Sequence, residues 1–314
     1  MLRFFSGKPR LGIEITSSTV RLAALSGRGP KLSVLYAKTT DLPSGMVTES
    51  YATPNIHDVK GLTDVLRESL AGASQRFRRT ALSLPDGVFR VQTLEFDQLP
   101  ANPADRERFI RWRLEKAAAF DLSDTVLRHQ VLRSQEKGFT VLACVAKQAV
   151  ISQYEEVLRE LGLEPWSVGL SSFFILNLFS PLIAKKTPVF ALAHLTDDSF
   201  TTIVTEAGGT RFYRYKEVKR GNVAEIKARY MREIEGSLHF YTHMDRTQTS
   251  EVRHLYLTGE STLPYDLAEG LSTATSLNVE VLSPADLVGQ DSGGGASSAW
   301  LVAMAAPLGA GSSL

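Results

Sequence analysis

Between Glu14 and Arg21 lies a run of four small hydroxyl residues, Thr16-Ser17-Ser18-Thr19. A tight polar turn of this kind can aim backbone N–H groups and hydroxyls at a bound phosphate, with one long cation, Arg21, to neutralise it. Glu14 would then stand where a metal ion or an attacking water is held. The same residues also describe an ordinary β-hairpin: Leu11, Ile13 and Ile15 alternate before the turn, and apolar residues resume at Val20 after it. Matching loops later in the chain would decide between the two.

Other chemistry-bearing residues stand more alone. His239 and His243 are four apart on a predicted helix, a spacing that suits a metal, but no third ligand is recognisable, so solvent or packing roles are expected. His194 falls inside an apolar strand and is expected to be hydrogen-bonded in the core. Cys144 is the single cysteine and lies in the apolar run Val141 to Ala146. A buried thiol is expected there, and no disulfide framework or zinc cluster can form within the chain. The sequence has no serine nucleophile elbow and no glycine-rich Walker loop.

The bulk numbers bound the answer further. The 314 residues suffice for two domains, and 43% hydrophobic with 22% charged residues is ordinary for a globular protein. A formal net charge of +1 argues against a nucleic-acid surface. Met1 to Arg10 lacks the apolar core of a signal peptide, so a cytoplasmic protein is expected. The most apolar segment, Ser171 to Phe179 before Pro181, reads as a core helix, because spanning a bilayer takes about 20 residues. The closing stretch, Ala305 to Leu314, has no cationic face and makes a poor membrane anchor.

The elements that hold these residues follow from periodicity. After the hairpin, Lys31 to Lys38 reads as a third strand, and His57 to Ala73 as a helix with Val59, Leu62, Val65, Leu66 and Leu70 on one stripe. Arg76, Arg78 and Arg79 read as a solvated helix end, and Thr80 to Leu84 as a strand closed by Pro85. A strand (Val88 to Phe96), helix (Pro103 to Phe120), two strands (Val126 to Ser134, Phe139 to Ala146) and a helix (Gln148 to Leu161) then form an inserted unit. Its first helix carries Arg106, Arg108, Arg111 and Arg113 among acids, a salt-bridged solvated face, with Phe109, Trp112 and Phe120 as packing residues.

From Val189 the opening pattern repeats. A buried strand (Val189 to Leu195), a polar turn (Thr196-Asp197-Asp198-Ser199) and a returning strand (Phe200 to Thr205) are followed by a third strand, Thr210 to Tyr215. A long helix, Val223 to Met244, carries Ile226, Tyr230, Ile234, Leu238 and Tyr241 on its buried stripe. Then come a strand ending at Gly259, a helix from Leu263 to Ser276, a strand from Val279 to Leu282 and a flexible loop at Ser292 to Gly295.

Two halves that open alike, with a late strand ending in glycine, resemble the actin-like (ribonuclease H-like) nucleotide-binding fold, and within it the PilM-type proteins of type IV pilus assembly. The resemblance covers nearly the whole chain. It implies an α/β duplicated fold with domain 1 at residues 1–186, an FtsA/PilM-type inserted subdomain at 87–162, and domain 2 at 187–314 across a cleft. The family's first loop, Asp-x-Gly-Ser-x-x-x-Lys, is similar to Glu14 to Arg21, and its second, Asp-x-Gly-x-x-x-Thr, falls on His194 to Phe200. Its Gly-Gly pair falls on Gly259-Glu260, and an acid of the long helix that faces the nucleotide sugar falls on Glu233. The implied cofactor is ATP with Mg2+, and the implied cleft residues are Glu14, Thr16, Ser17, Ser18, Arg21, Thr196, Glu233, Gly259 and Glu260. No catalytic or metal residue is assigned.

The departures from the family pattern are equally specific. Glu14 is one methylene longer than aspartate, Thr16 replaces a glycine that lets backbone approach phosphate, and Glu260 puts a charge where backbone should lie. Asp197 and Asp198 would repel phosphate oxygens unless a cation intervened. Together they imply weakened or lost ATP binding. The resemblance then implies a cytoplasmic scaffold, peripheral to the inner membrane, that grips the N-terminal tail of a bitopic PilN-like partner between its main domain and the insertion. Other platform proteins and the assembly ATPases are further implied partners, with no nucleic acid and no direct membrane insertion, and a homo-oligomer stays open. Two alternatives remain: a working actin-like ATPase with Glu14 and Arg21 still handling metal and phosphate, and a cytoplasmic domain of the GspL type from type II secretion.

Overall fold

The computed structural model describes residues 10–27, 32–74, 76–117, 121–135, 138–206, 209–218, 222–244, 250–259, 262–283, 286 and 300–309. The predicted N-terminal segment before Arg10, the loop at Ser292 to Gly295, Lys31 and Phe120 fall outside these residues.

The first half opens with β1 (Arg10–Ile15), β2 (Thr19–Ser26) and β3 (Ser33–Asp41), then α1 (Val59–Ala71) and β4 (Arg79–Leu84). The insertion supplies β5 (Arg90–Phe96), α2 (Pro103–Ala117), β6 (Thr125–Gln135), β7 (Gly138–Lys147) and α3 (Gln148–Glu160), before β8 (Glu164–Leu170) and α4 (Ser171–Ile183) return to the main body. The second half runs β9 (Val189–Leu195), β10 (Ser199–Glu206), β11 (Gly209–Glu217), α5 (Val223–Met244), β12 (His254–Gly259), α6 (Leu263–Thr275) and β13 (Asn278–Val281). A last helix, α7, spans Leu301–Gly309.

The two main sheets have the same plan. Their strand orders are β3-β2-β1-β4-β8 and β11-β10-β9-β12-β13, with the three hairpin strands antiparallel and the last two joined in parallel. The duplicated α/β architecture expected from the repeated hairpin is therefore present. α1 shows how local chemistry builds it: Asp58 caps the helix by accepting from the Gly61 N–H at 2.8 Å, and Leu62 and Leu66 are fully buried. α4 is buried on nearly every side, which fits its run of apolar residues, and Pro181 sits in its last turn. No helix among the described residues is long and apolar enough to cross a membrane.

β5, β7 and β6 form a separate three-stranded sheet, with α2 burying Ile110 and Leu114 against it. β7 serves two cores at once. Its Val141, Ala143 and Val145 pack in the insertion, while Leu142, Cys144 and Ala146 point into the main core, so both faces of the strand are dry and its sequence is continuously apolar.

Two expectations need correction. α3 was expected inside the inserted unit, but Val150, Ile151, Tyr154, Val157 and Leu158 pack in the main core against α1 and β8, and Thr63 donates to Glu160. The inserted sheet is thus strand-helix-strand-strand, and α3 is a layer of the first half. Similarly, residues after 187 were expected to stay with the second half. α7 returns instead to cover β1, β4 and α4, so closely that a Cβ on Gly12 would lie 1.9 Å from the Ala303 carbonyl oxygen. The strand predicted from Val88 also begins later, because Asp86–Val88 form a 3-10 turn.

Candidate functional site

The β1–β2 turn and the β9–β10 turn are built alike. Thr16 Oγ1 accepts from the N–H groups of Ser18 and Thr19 at 3.3 and 3.0 Å, and the Thr16 N–H donates to the Thr19 carbonyl at 2.9 Å. In the second turn Thr196 Oγ1 accepts from the Ser199 N–H at 3.2 Å, and the Thr196 N–H donates to the Ser199 carbonyl at 2.9 Å. The threonine side chain therefore does in each turn what an external oxygen would do, folding the turn onto itself.

Both turns line one small cavity, about 100 Å³, between the two sheets. Thr16, Ser17, Ser18 and Thr196, which the resemblance assigned to a nucleotide cleft, line it together with Glu14. Arg21 lies directly across the strand pair from Glu14 and donates to its carboxylate at 3.2 Å, both side chains being buried. Glu233 is held elsewhere, in an ion pair with Lys216 at 3.1 Å. Gly259 closes β12 where a Cβ would lie 2.7 Å from the Leu195 carbonyl oxygen, so it serves close packing, and it is not among the residues lining this cavity. Glu260 lies outside the described residues.

Two cavity residues were missed from sequence. Glu49, on the loop after β3, accepts from the Ser17 N–H at 3.2 Å, taking the backbone donor that would greet a phosphate. Asp86 follows β4 in Pro85-Asp86-Gly87, a turn at the carboxyl end of a parallel strand pair, which is where open α/β sheets place ligand-facing residues. That position was the available signal for Asp86. Glu49 offered none, because its partner lies 32 residues away.

His194 also departs from expectation. It is 2% exposed, and neither ring nitrogen has a hydrogen-bond partner among the described residues. Burial lowers its pKa from the ordinary 6.5; the nearby Asp86 charge opposes this and Arg21 reinforces it. Elsewhere, His239 and His243 lie on an exposed face with ring centroids 4.0 Å apart and planes tilted by 36°, and no group of three metal-ligating residues occurs among the described residues. Cys144 is buried, its thiol pushed up to about 12 mainly by desolvation.

The fold family implies a nucleoside triphosphate with Mg2+, and the cavity does not fit one. Ligand sites of that kind need about 300–1,000 Å³. Here five carboxylates, Glu14, Glu49, Asp86, Asp197 and Asp198, line about 100 Å³, and the Arg21 guanidinium is already paired with one of them. Without an intervening cation polyphosphate would meet repulsion, and the turns are already satisfied by their own side chains.

A larger feature lies between the insertion and the first sheet. This groove, about 550 Å³, has β8 residues Pro165 to Leu170 on one side and Val126 and Arg128 of β6 on the other. Its floor includes Phe89, Cys144, Ile151, Phe173 and Phe174. β8 is the last strand of its sheet and β6 the last of the insertion's, so both present edges that pair with no further strand among the described residues.

No protein-family model matches the chain, and no curated protein matches it at significance. Among solved structures it is similar to a chain of a PilM–PilN type IV pilus biogenesis complex, with 19% identity and a TM-score of 0.80 over 96% of this chain and 98% of that one. It is also similar to a Bacteroides thetaiotaomicron protein with an actin-like ATPase fold and unknown function, with 12% identity and a TM-score of 0.53 over 89% and 93%. The cytoplasmic domain of EpsL, an inner-membrane component of the Vibrio cholerae type II secretion system, gives a TM-score of 0.49 at 12% identity over 80% and 82%, too slight a likeness to argue from. The actin-like fold anticipated from the two halves that open alike is present.

Proposed function

We propose that this actin-like chain is a scaffold of an inner-membrane type IV pilus assembly platform, holding the N-terminal tail of a single-pass, PilN-like partner in the groove beside β8. The observation that carries this reading is the groove itself. An extended peptide gains affinity by adding its backbone to an exposed strand edge and specificity by placing alternate side chains in apolar pockets. β8 supplies such an edge, and Phe89, Phe173 and Phe174 supply apolar surface beneath it. The likeness to a chain solved with PilN, across nearly its whole length, supports the same reading.

In this role no turnover is needed, and ATP binding is weak or lost because the turns are closed by Thr16, Thr196 and Glu49. The protein would lie at the cytoplasmic face of the membrane through its partner, and meet other platform proteins and assembly ATPases there.

Calorimetry with a synthetic tail peptide from the organism's own PilN-like protein tests the proposal. Saturable binding is expected, and Val168→Asp, which places a carboxylate on the groove wall, should weaken it at least about tenfold. Failure of the wild-type protein to bind the tail in solution would remove the scaffold reading.

A further inference from the structure

The strongest unassigned feature outside the groove is the hydrogen-bond cluster on Asp86. Its carboxylate is 5% exposed and receives donors from two different parts of the chain. Thr201 Oγ1 on β10 and the Tyr213 hydroxyl on β11 donate to Oδ2 at 2.6 and 3.2 Å. From the first turn of α4, the Ser172 N–H donates to Oδ1 at 3.2 Å and the Ser172 hydroxyl donates to Oδ2. One buried carboxylate thus ties the second sheet to the start of α4.

The tie leads straight to the groove. Tyr213 lies flat on Phe173, with centroids 5.6 Å apart and planes 6° from parallel, and Phe173 forms part of the groove floor. Three residues after Asp86, Phe89 forms another part. Arg90 fixes the intervening turn by donating to the carbonyls of Gly87 and Phe89 at 3.1 and 2.9 Å. The floor on which a tail would rest is therefore backed by a ring from the other half of the molecule.

We propose that Asp86 and Tyr213 are positioning residues for the groove, so that the second half of the chain sets tail affinity by holding Phe173 in place. This rests on the groove being the tail site, and it deepens that reading by naming what controls it. Hydrogen bonds to a buried charged group are worth more than neutral ones, and removing one partner leaves the others strained or unsatisfied. Because coupling between two parts is reciprocal, tail binding must in turn steady the second sheet at Thr201 and Tyr213.

Hydrogen exchange without any peptide comes first, on wild type, Thr201→Val and Tyr213→Phe. Both variants remove a donor to Asp86 without touching the groove. Exchange across residues 164–176 should rise about tenfold in each, while Leu267→Ala, in the second half's separate core, should leave that segment unchanged. Equal exchange in wild type and both clasp variants, or an equal rise in Leu267→Ala, overturns the proposal. Tail affinity is measured next. Tyr213→Phe keeps the ring and should weaken binding less than Tyr213→Ala, and bound tail should slow exchange over 199–215. If the wild type binds no tail, the groove reading fails, whereas the exchange result still judges the clasp. Equal affinity in wild type, Tyr213→Phe and Tyr213→Ala also overturns it.

Discussion

The buried Glu14–Arg21 pair is a liability unless both partners are present. Arg21→Leu would leave a carboxylate 1% exposed with its main counter-charge gone, at a cost of about 3–5 kcal/mol. Replacing Glu14 by Gln in the same chain should recover most of that loss, and urea unfolding of the two single variants and the double one measures the difference. Thr16 and Glu49 make a second residue-scale prediction. The pair Thr16→Gly and Glu49→Ala vacates the N–H groups of Ser17, Ser18 and Thr19, so these amides should exchange at least about tenfold faster in the double variant than in wild type, as hydrogen exchange measures. His194 adds a pH dependence whose sign is fixed. Its folded pKa lies below 6.5, so above that value both states are neutral there and nothing is lost. As pH falls below 6.5 the unfolded chain takes up a proton that the folded chain refuses, and stability declines until the folded pKa is passed. The urea midpoint should drop between pH 7.5 and 5, and His194→Gln should flatten that part of the drop.

At the scale of elements, α7 is the piece whose placement matters most. Gly12→Ala drives a methyl against the Ala303 backbone carbonyl and the Pro307 ring, neither of which can swing aside, so about 3 kcal/mol or more of destabilisation is expected, with α7 exchanging faster than the rest. Circular dichroism melts with hydrogen exchange on residues 300–309 check it. Periodicity was enough to locate most elements, and β9 and α5 run between the very residues predicted, because alternation and the 3.6-residue stripe are local properties. α7 was illegible for the opposite reason: Leu301 to Pro307 are buried all round, and a helix without a polar face leaves no stripe to read. α3 was found as a helix and assigned to the wrong layer, since a stripe says which face is buried and is silent about what covers it. The cleft shows the same divide. Thr16, Ser17, Ser18 and Thr196 were visible as turns, whereas Asp86 and Glu49 act through residues far along the chain.

Over the whole molecule, the halves are joined by more than a hinge. Phe190, Leu192, Ile203, Tyr256 and Leu282 of the second half belong to the same apolar cluster as Leu11, Leu22 and Leu62 of the first. The insertion has its own cluster around Ile110, Leu114 and Val141, so α2 should show earlier exchange by sub-global opening than β1 does. The return of α7 to β1 also has a cost during synthesis. β1 leaves the ribosome long before α7, the helix that covers Gly12. At about 5–20 residues per second, that strand face waits roughly 15–60 s for its cover. Throughout that interval the nascent chain carries an exposed apolar sheet, an obvious client surface for a holding chaperone, and the native first half becomes complete only when translation has passed residue 309.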